Sequence, residues 1–130
     1  MQSLMAENLA HTKNLISEKE LGSRGGWMKT IDQGDIIRIE HGRVPFLVVS
    51  SVFYNQSGLA VVCPIVPNAS ADAMHVQLET PDISGTVLCE QIAVVSTGDR
   101  ACSVKDHLSG TPLLEIVFRV QSIFDYVPHI

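Results

Sequence analysis

From Gly34 onward the apolar residues fall into short runs: Ile36–Glu40, Phe46–Val52, Leu59–Val66, Met74–Glu79 and Thr86–Ser96. Turn formers separate them, at His41-Gly42-Arg43, Asn55–Gly58, Pro67–Asp72 and Pro81–Gly85. Short strands at regular spacing predict a meandering antiparallel sheet curled into a small barrel. Two central runs, Leu47-Val48-Val49 and Ala60-Val61-Val62-Cys63, are apolar at every position, so both faces of these strands need cover from a helix or a second subunit. A helix is available. Thr111-Pro112 offers an N-cap followed by proline at the first helical position, and Leu113, Ile116, Val117, Val120, Ile123 and Phe124 then repeat at helical spacing up to Pro128. Such a stripe is expected to pack across the sheet.

The start of the chain reads differently. Met1, Met5, Leu9, Thr12 and Ile16 recur at helical spacing among polar residues, which predicts a weakly apolar amphipathic helix. Gly22-Ser23-Arg24-Gly25-Gly26 follows as a hinge. The expected organisation is a helical extension over residues 1–27 and one domain over 28–130, in a mostly β, α+β class with a terminal helix at each end. A chain of 130 residues with 45% hydrophobic content suits one core rather than two.

Charge and candidate chemistry narrow the function. A net charge of −5 and a pI near 5.4 argue against a protein that blankets phosphates with lysine and arginine, so any nucleic-acid contact is local. Cys63, Cys89 and Cys102 are too widely separated for a zinc or redox pair and read as small buried hydrophobes. The five histidines, His11, His41, His75, His107 and His129, lack metal-ligand spacing, so neither a metal nor another cofactor is expected. No apolar run reaches the ~18 residues of a membrane span and the start lacks a signal-peptide pattern, which predicts a cytoplasmic protein without a membrane partner.

In unbroken order, "QGDIIRI", "PFLVVSSVFYNQSGLAVVCPIV", "SGTVLCEQIAVVS" and "LLEIVFRVQSIF" resemble the MazF/PemK family of toxin–antitoxin toxins over roughly residues 33–124. The resemblance implies a small SH3-like or CcdB-like barrel with a C-terminal helix, assembled as a homodimer. It also implies metal-free cleavage of single-stranded RNA and neutralisation by an antitoxin whose disordered tail lies across the dimer groove. A two-fold interface would supply the cover that the central strands need.

Metal-free RNA cleavage needs a base near the 2′-hydroxyl, an acid for the leaving oxygen and donors at the developing phosphorane charge. The resemblance implies that these come from an Arg-Pro pair opening the second strand after a long loop, a threonine after "CPI", and the acidic residue and glutamine of "DQ". Here Val44 precedes Pro45, Val66 follows "CPI", and the first loop shrinks to Glu40-His41-Gly42-Arg43. Arg43 lies one residue early, which in a strand turns its side chain to the opposite face. Glu90-Gln91 keeps the third element, with Glu for Asp. The candidate site is therefore Arg43, Glu90 and Gln91. Two functions fit: a toxin with an endoribonuclease fold and a degraded site, or a non-catalytic dimeric binder of an antitoxin, single-stranded RNA or operator DNA. The expected dimer interface takes the hairpin face carrying Leu47, Val49, Val61 and Cys63 with part of the terminal helix. Residues 1–27 are expected to dock on the barrel or on a partner subunit.

Overall fold

Within the described residues, 30–98 and 102–128 of a computed structural model, seven strands and two helices follow one another. They are β1 Asp35–Ile39, β2 Phe46–Val48, α1 Val52–Asn55, β3 Leu59–Val66, β4 His75–Glu79, β5 Ser84–Leu88, β6 Ala93–Ser96, β7 Cys102–His107 and α2 Gly110–Ser122. The expected N-terminal helix, its hinge and their docking lie outside the described residues.

All strand pairs are antiparallel, in the order β4-β5-β3-β2-β1-β7, with β6 pairing the first half of β3. The expected mostly β, α+β fold with a C-terminal helix is found, and among the described residues its sheet stays unclosed, because no ladder joins β4 to β7. The two ends still approach each other. The Thr80 hydroxyl in the β4–β5 turn and the His107 amide lie beside Asp106 of β7 and hold its carboxyl below the usual range. Asp106 Oδ1 accepts that amide at 2.8 Å, whereas Oδ2 is buried outside good hydrogen-bonding geometry, so Thr80 is a neighbour rather than a bonded partner.

Alternation along the strands sends side chains to two cores. Ile36, Leu47, Val49, Cys63, Ile65, Leu78, Val87 and Cys89 pack with Ile116 and Val120 of α2. Ile31, Ile37, Val48, Ala60 and Val62 form a smaller cluster on the other face, with Phe46 and Val95 against it. The expected two-sided cover of the central strands is thus largely met within one chain. This overturns the expected interface: Leu47 and Cys63 are fully buried beneath α2, Val49 is buried and Val61 packs partly buried beside them, so that face is interior. The stripe of α2 is also shorter than expected. Ile116 and Val120 are buried, but Ile123 and Phe124 lie beyond Ser122 and are exposed. Ser109, not Thr111, occupies the N-cap.

The turn between β2 and β3 is built rather than loose. After Val48 the chain makes the single helical turn α1, capped by the Ser51 hydroxyl. Asn55 at its end is buried. Its amide donates to the Ile31 carbonyl at 2.7 Å and the Ser50 carbonyl at 3.2 Å, and its Oδ1 accepts from the Ser50 hydroxyl at 2.5 Å. That hydroxyl accepts the Val61 amide at 2.9 Å. One asparagine therefore ties the turn, β3 and the segment entering β1 together. A buried amide without such partners would cost about 1–3 kcal/mol.

Two glycines mark close approaches. Gly34 has φ +96°, and a Cβ there would stand 2.2 Å from the Leu108 carbonyl, where β1 meets the chain leading to α2. At Gly85 a Cβ would stand 2.7 Å from the Val66 carbonyl, so only glycine lets β5 lie this close against the end of β3. That contact fixes the position of the candidate site.

Candidate active site

The run Thr86–Ser96, expected as one strand, is two strands, β5 and β6, separated by a turn at Cys89–Glu90. The turn bends Glu90 and Gln91 out to solvent. Glu90 is not isolated. Its Oε2 meets His75 Nε2 at 3.1 Å, with 41% of the Glu90 side chain exposed and 14% of the His75 side chain. Register accounts for the meeting: His75 of β4 lies opposite Leu88 of β5, and two further residues carry β5 to Glu90 on the same face.

The other ring nitrogen of His75, Nδ1, faces the Ser70 carbonyl at 2.7 Å. Both nitrogens therefore meet acceptors. A neutral imidazole has only one N–H to offer, so this geometry fits the imidazolium, which donates to both. The Ser70 carbonyl first, and the Glu90 carboxylate second, accordingly raise the His75 pKa. The segment from Ser70 to Ala73 is held in turn by α2, because the Arg119 guanidinium donates to the Ala73 carbonyl and, at 2.7 Å, to Glu115. Arg119 Nε is buried without a hydrogen bond.

Arg43 stands apart from this pair. The first loop is a tight turn in which the Gly42 amide donates to the Ile39 carbonyl at 2.8 Å. It leaves Arg43 exposed, with no ion pair or side-chain hydrogen bond among the described residues. Phe46 pairs with Pro64, and the Ile65 amide donates to the Pro45 carbonyl at 2.9 Å, which carries the ladder on and sets Val44 alongside Val66. The two positions where the resemblance implies arginine and threonine are thus neighbours across the sheet, and both are hydrocarbon. The structure brings Glu90 together with His75; neither Arg43 nor Gln91 bonds to Glu90.

Neither the cysteines nor the other acid–histidine pair adds chemistry to this face. The Cys63 and Cys89 thiols are fully buried, and burial is the main cause that raises them to about 12 and about 11. Thiols so protonated are poor nucleophiles. A second acid–histidine pair, Asp35 Oδ1 to His107 Nδ1 at 2.8 Å, joins β1 to β7; the other Asp35 oxygen accepts the Asp32 amide at 2.9 Å, which marks the pair as a strand fastening. No group of three or more His, Cys, Asp and Glu among the described residues could hold a metal ion. No helix among them is long and apolar enough to cross a membrane. A depression of about 520 Å³ on the outside of α2, lined by Thr111, Leu114, Glu115, Phe118, Arg119 and Ser122, shares no residue with the Glu90–His75 pair. It is a contact surface rather than a chemical one, since its only opposite charges already pair with each other.

His75 was not among the residues selected from sequence. Its alternation within "AMHVQLE" marks it as outward-facing, but the partner 15 residues away becomes visible only through the β4–β5 register.

Comparison with known proteins agrees with this architecture. The model of the PemK-like, MazF-like toxins of type II toxin–antitoxin systems matches residues 30–124. The crystal structure of MazE–MazF (form I) from Deinococcus radiodurans superposes with a TM-score of 0.66 at 25% identity, covering 74% of this chain and 97% of that one. MazF alone (form I) from the same organism gives 0.65 at 23% identity, over 74% and 97%. An endoribonuclease in complex with its cognate antitoxin from a mycobacterial species shares the fold, with a TM-score of 0.63 at 15% identity over 72% and 94%. Among curated proteins, none matches the sequence. With strand order, terminal helix and a match over most of the chain in agreement, this chain belongs to the PemK-like, MazF-like toxins of type II toxin–antitoxin systems.

Proposed function

We propose that this chain is a cytoplasmic toxin that cleaves single-stranded RNA slowly and without metal. The carrying observation is the pairing of two facts on one sheet: Glu90 stands exposed and oriented by His75, while Val44 and Val66 leave bare hydrocarbon where the family resemblance implies a cation and a hydroxyl. Glu90 is the base that takes the 2′-hydroxyl proton. Loss of one donor to the developing phosphorane charge costs roughly 10²–10³ in rate, so a site lacking both is slow. Arg43, exposed at the mouth of the first loop, serves as a phosphate contact rather than as a substitute catalytic arginine.

The partners are a second copy of the chain and an antitoxin. The outer face of α2, with Leu114 and Phe118 53% and 60% exposed, is the apolar surface that a two-fold interface would cover, now that the inner face is known to be interior. The MazE–MazF complexes of Deinococcus support an antitoxin partner. The net charge of −5 disfavours duplex operator DNA as a ligand of the chain alone.

Incubating the purified chain with a single-stranded RNA oligonucleotide in a chelator tests the reading. Slow cleavage that Glu90→Gln abolishes supports it. Absence of cleavage, with RNA or antitoxin still bound, would replace it with the non-catalytic binder.

A further inference from the structure

One transverse row of the sheet holds Val44 of the first loop, Val66 of β3, Thr86 of β5 and Gln77 of β4, because Val66 pairs with Thr86 and Thr86 pairs with Gln77. The first two positions are hydrocarbon and the next two are polar. Gln77 Nε2 donates to the Thr86 hydroxyl at 3.1 Å, and that threonine is 2% exposed, so Gln77 lies over it and is held by it. Two residues along the strands, roughly 7 Å away, His75 holds Glu90 on the same face.

We infer that the polar groups which β2 and β3 lack have shifted along this row to β5 and β4, so that Gln77, positioned by Thr86, and Glu90, positioned by His75, meet the scissile phosphodiester of RNA. This rests on the RNA-cleaving reading above. Neighbouring strands lie about 4.8 Å apart, so the displacement is one strand for the hydroxyl, from β3 to β5, and three for the amide, from β2 to β4.

In the step this site performs, the 2′-oxygen attacks phosphorus and the bond from phosphorus to the 5′-oxygen breaks. Glu90 takes the 2′-hydroxyl proton and the 5′-oxygen takes a proton from water, leaving a 2′,3′-cyclic phosphate and a 5′-hydroxyl. Glu90 then returns its proton to water. Gln77 donates an amide N–H to a non-bridging oxygen, and the His75 imidazolium keeps one Glu90 oxygen fixed while the other faces the substrate. The charged groups facing His75 are Glu90 from the β5–β6 turn and Asp72 from the segment before β4. Glu79 stands two residues beyond Gln77 on the same face. With acids around it, the site presents its new donor as a neutral amide.

Single-stranded RNA cleavage without metal, followed for the wild type, Gln77→Ala, Thr86→Val and His75→Gln with the melting midpoint of each, tests this. Gln77→Ala and Thr86→Val are expected to lower kcat ~10-fold or more with KM changed less than ~3-fold, and Val66→Thr added to Gln77→Ala to recover part of the loss. The wild-type rate is expected to fall on the alkaline side as His75 loses its second proton, and His75→Gln to lack that limb. If Thr86→Val does not fold, Gln77→Ala, at an exposed position, carries the test. Wild-type cleavage that Gln77→Ala leaves within ~2-fold, or an alkaline limb unchanged in His75→Gln, overturns the shift while the RNA-cleaving reading stands. No cleavage by the wild type or by Val44→Arg with Val66→Thr overturns both.

Discussion

The β2–β3 and β4–β5 pairs are adjacent in one sheet and are made for different ends. β2 and β3 turn hydrocarbon to both faces, Leu47 and Cys63 to one core and Val48 and Val62 to the other, and all four are fully buried. β5 is likewise buried on both faces from Gly85 to Leu88, whereas β4 buries one face, through Val76 and Leu78, and leaves Gln77 and Glu79 exposed on the other. A strand that must stabilise on both sides has no position free for chemistry. Two-sided burial ends at β4, where Gln77 stands exposed over the buried Thr86.

Substitutions should grade in severity from the first pair to the second, as read by urea unfolding at fixed protein concentration. Leu47→Ala, at the centre of the larger core, is expected to destabilise by about 3 kcal/mol, since truncating a fully buried leucine loses both transfer energy and packing. Asn55→Leu should cost about 2 kcal/mol: it strips partners from the Ile31 carbonyl and Ser50 hydroxyl while keeping side-chain volume. Gly85→Ala is expected to cost about 1.5 kcal/mol by pushing β5 off the Val66 carbonyl, and its effect on RNA cleavage should exceed its effect on stability. A Gly85→Ala protein as stable and active as wild type would show that this contact does not set the site.

The smallest effect belongs to His75, and it carries a sign. Its folded pKa is raised, so its stabilisation is fully present below the unfolded value of 6.5 and is lost as pH rises through the folded value. The stability gap between wild type and His75→Gln should therefore be widest near pH 5 and close on the alkaline side. A gap independent of pH would mean that the bond to Glu90 does not depend on the imidazolium.

Legibility in the sequence followed the same division. β3 was read with its bounds intact at Leu59–Val66, because a two-sided apolar strand between Gly58 and Pro67 is unambiguous. The break between β5 and β6 was not read, since Cys89-Glu90-Gln91 contains neither glycine nor proline and continues an apolar run. β7 was missed because "CSVKDH" offers little apolar signal; β1 and not hydrophobicity makes it a strand. The residues of α1 read as the end of one strand and the start of a turn, because one helical turn is too short to show a period. At the site, Glu90 was legible through the motif. His75 and Thr86 were not, because their significance lies in which residue stands opposite, and register is set by the whole sheet.

The bond from Arg119 to the Ala73 carbonyl has a consequence for synthesis on the ribosome. The segment that supplies the Ser70 carbonyl to His75 is held by a guanidinium 46 residues later in the chain. At typical elongation rates of about 5–20 residues per second, roughly 2–9 s separate the appearance of the two halves of this contact. β-Strands with local partners can pair in that interval, whereas the histidine that orients Glu90 waits for α2. The nascent chain is thus expected to pass through a stage in which its sheet is paired while the His75–Glu90 pair is not yet fastened.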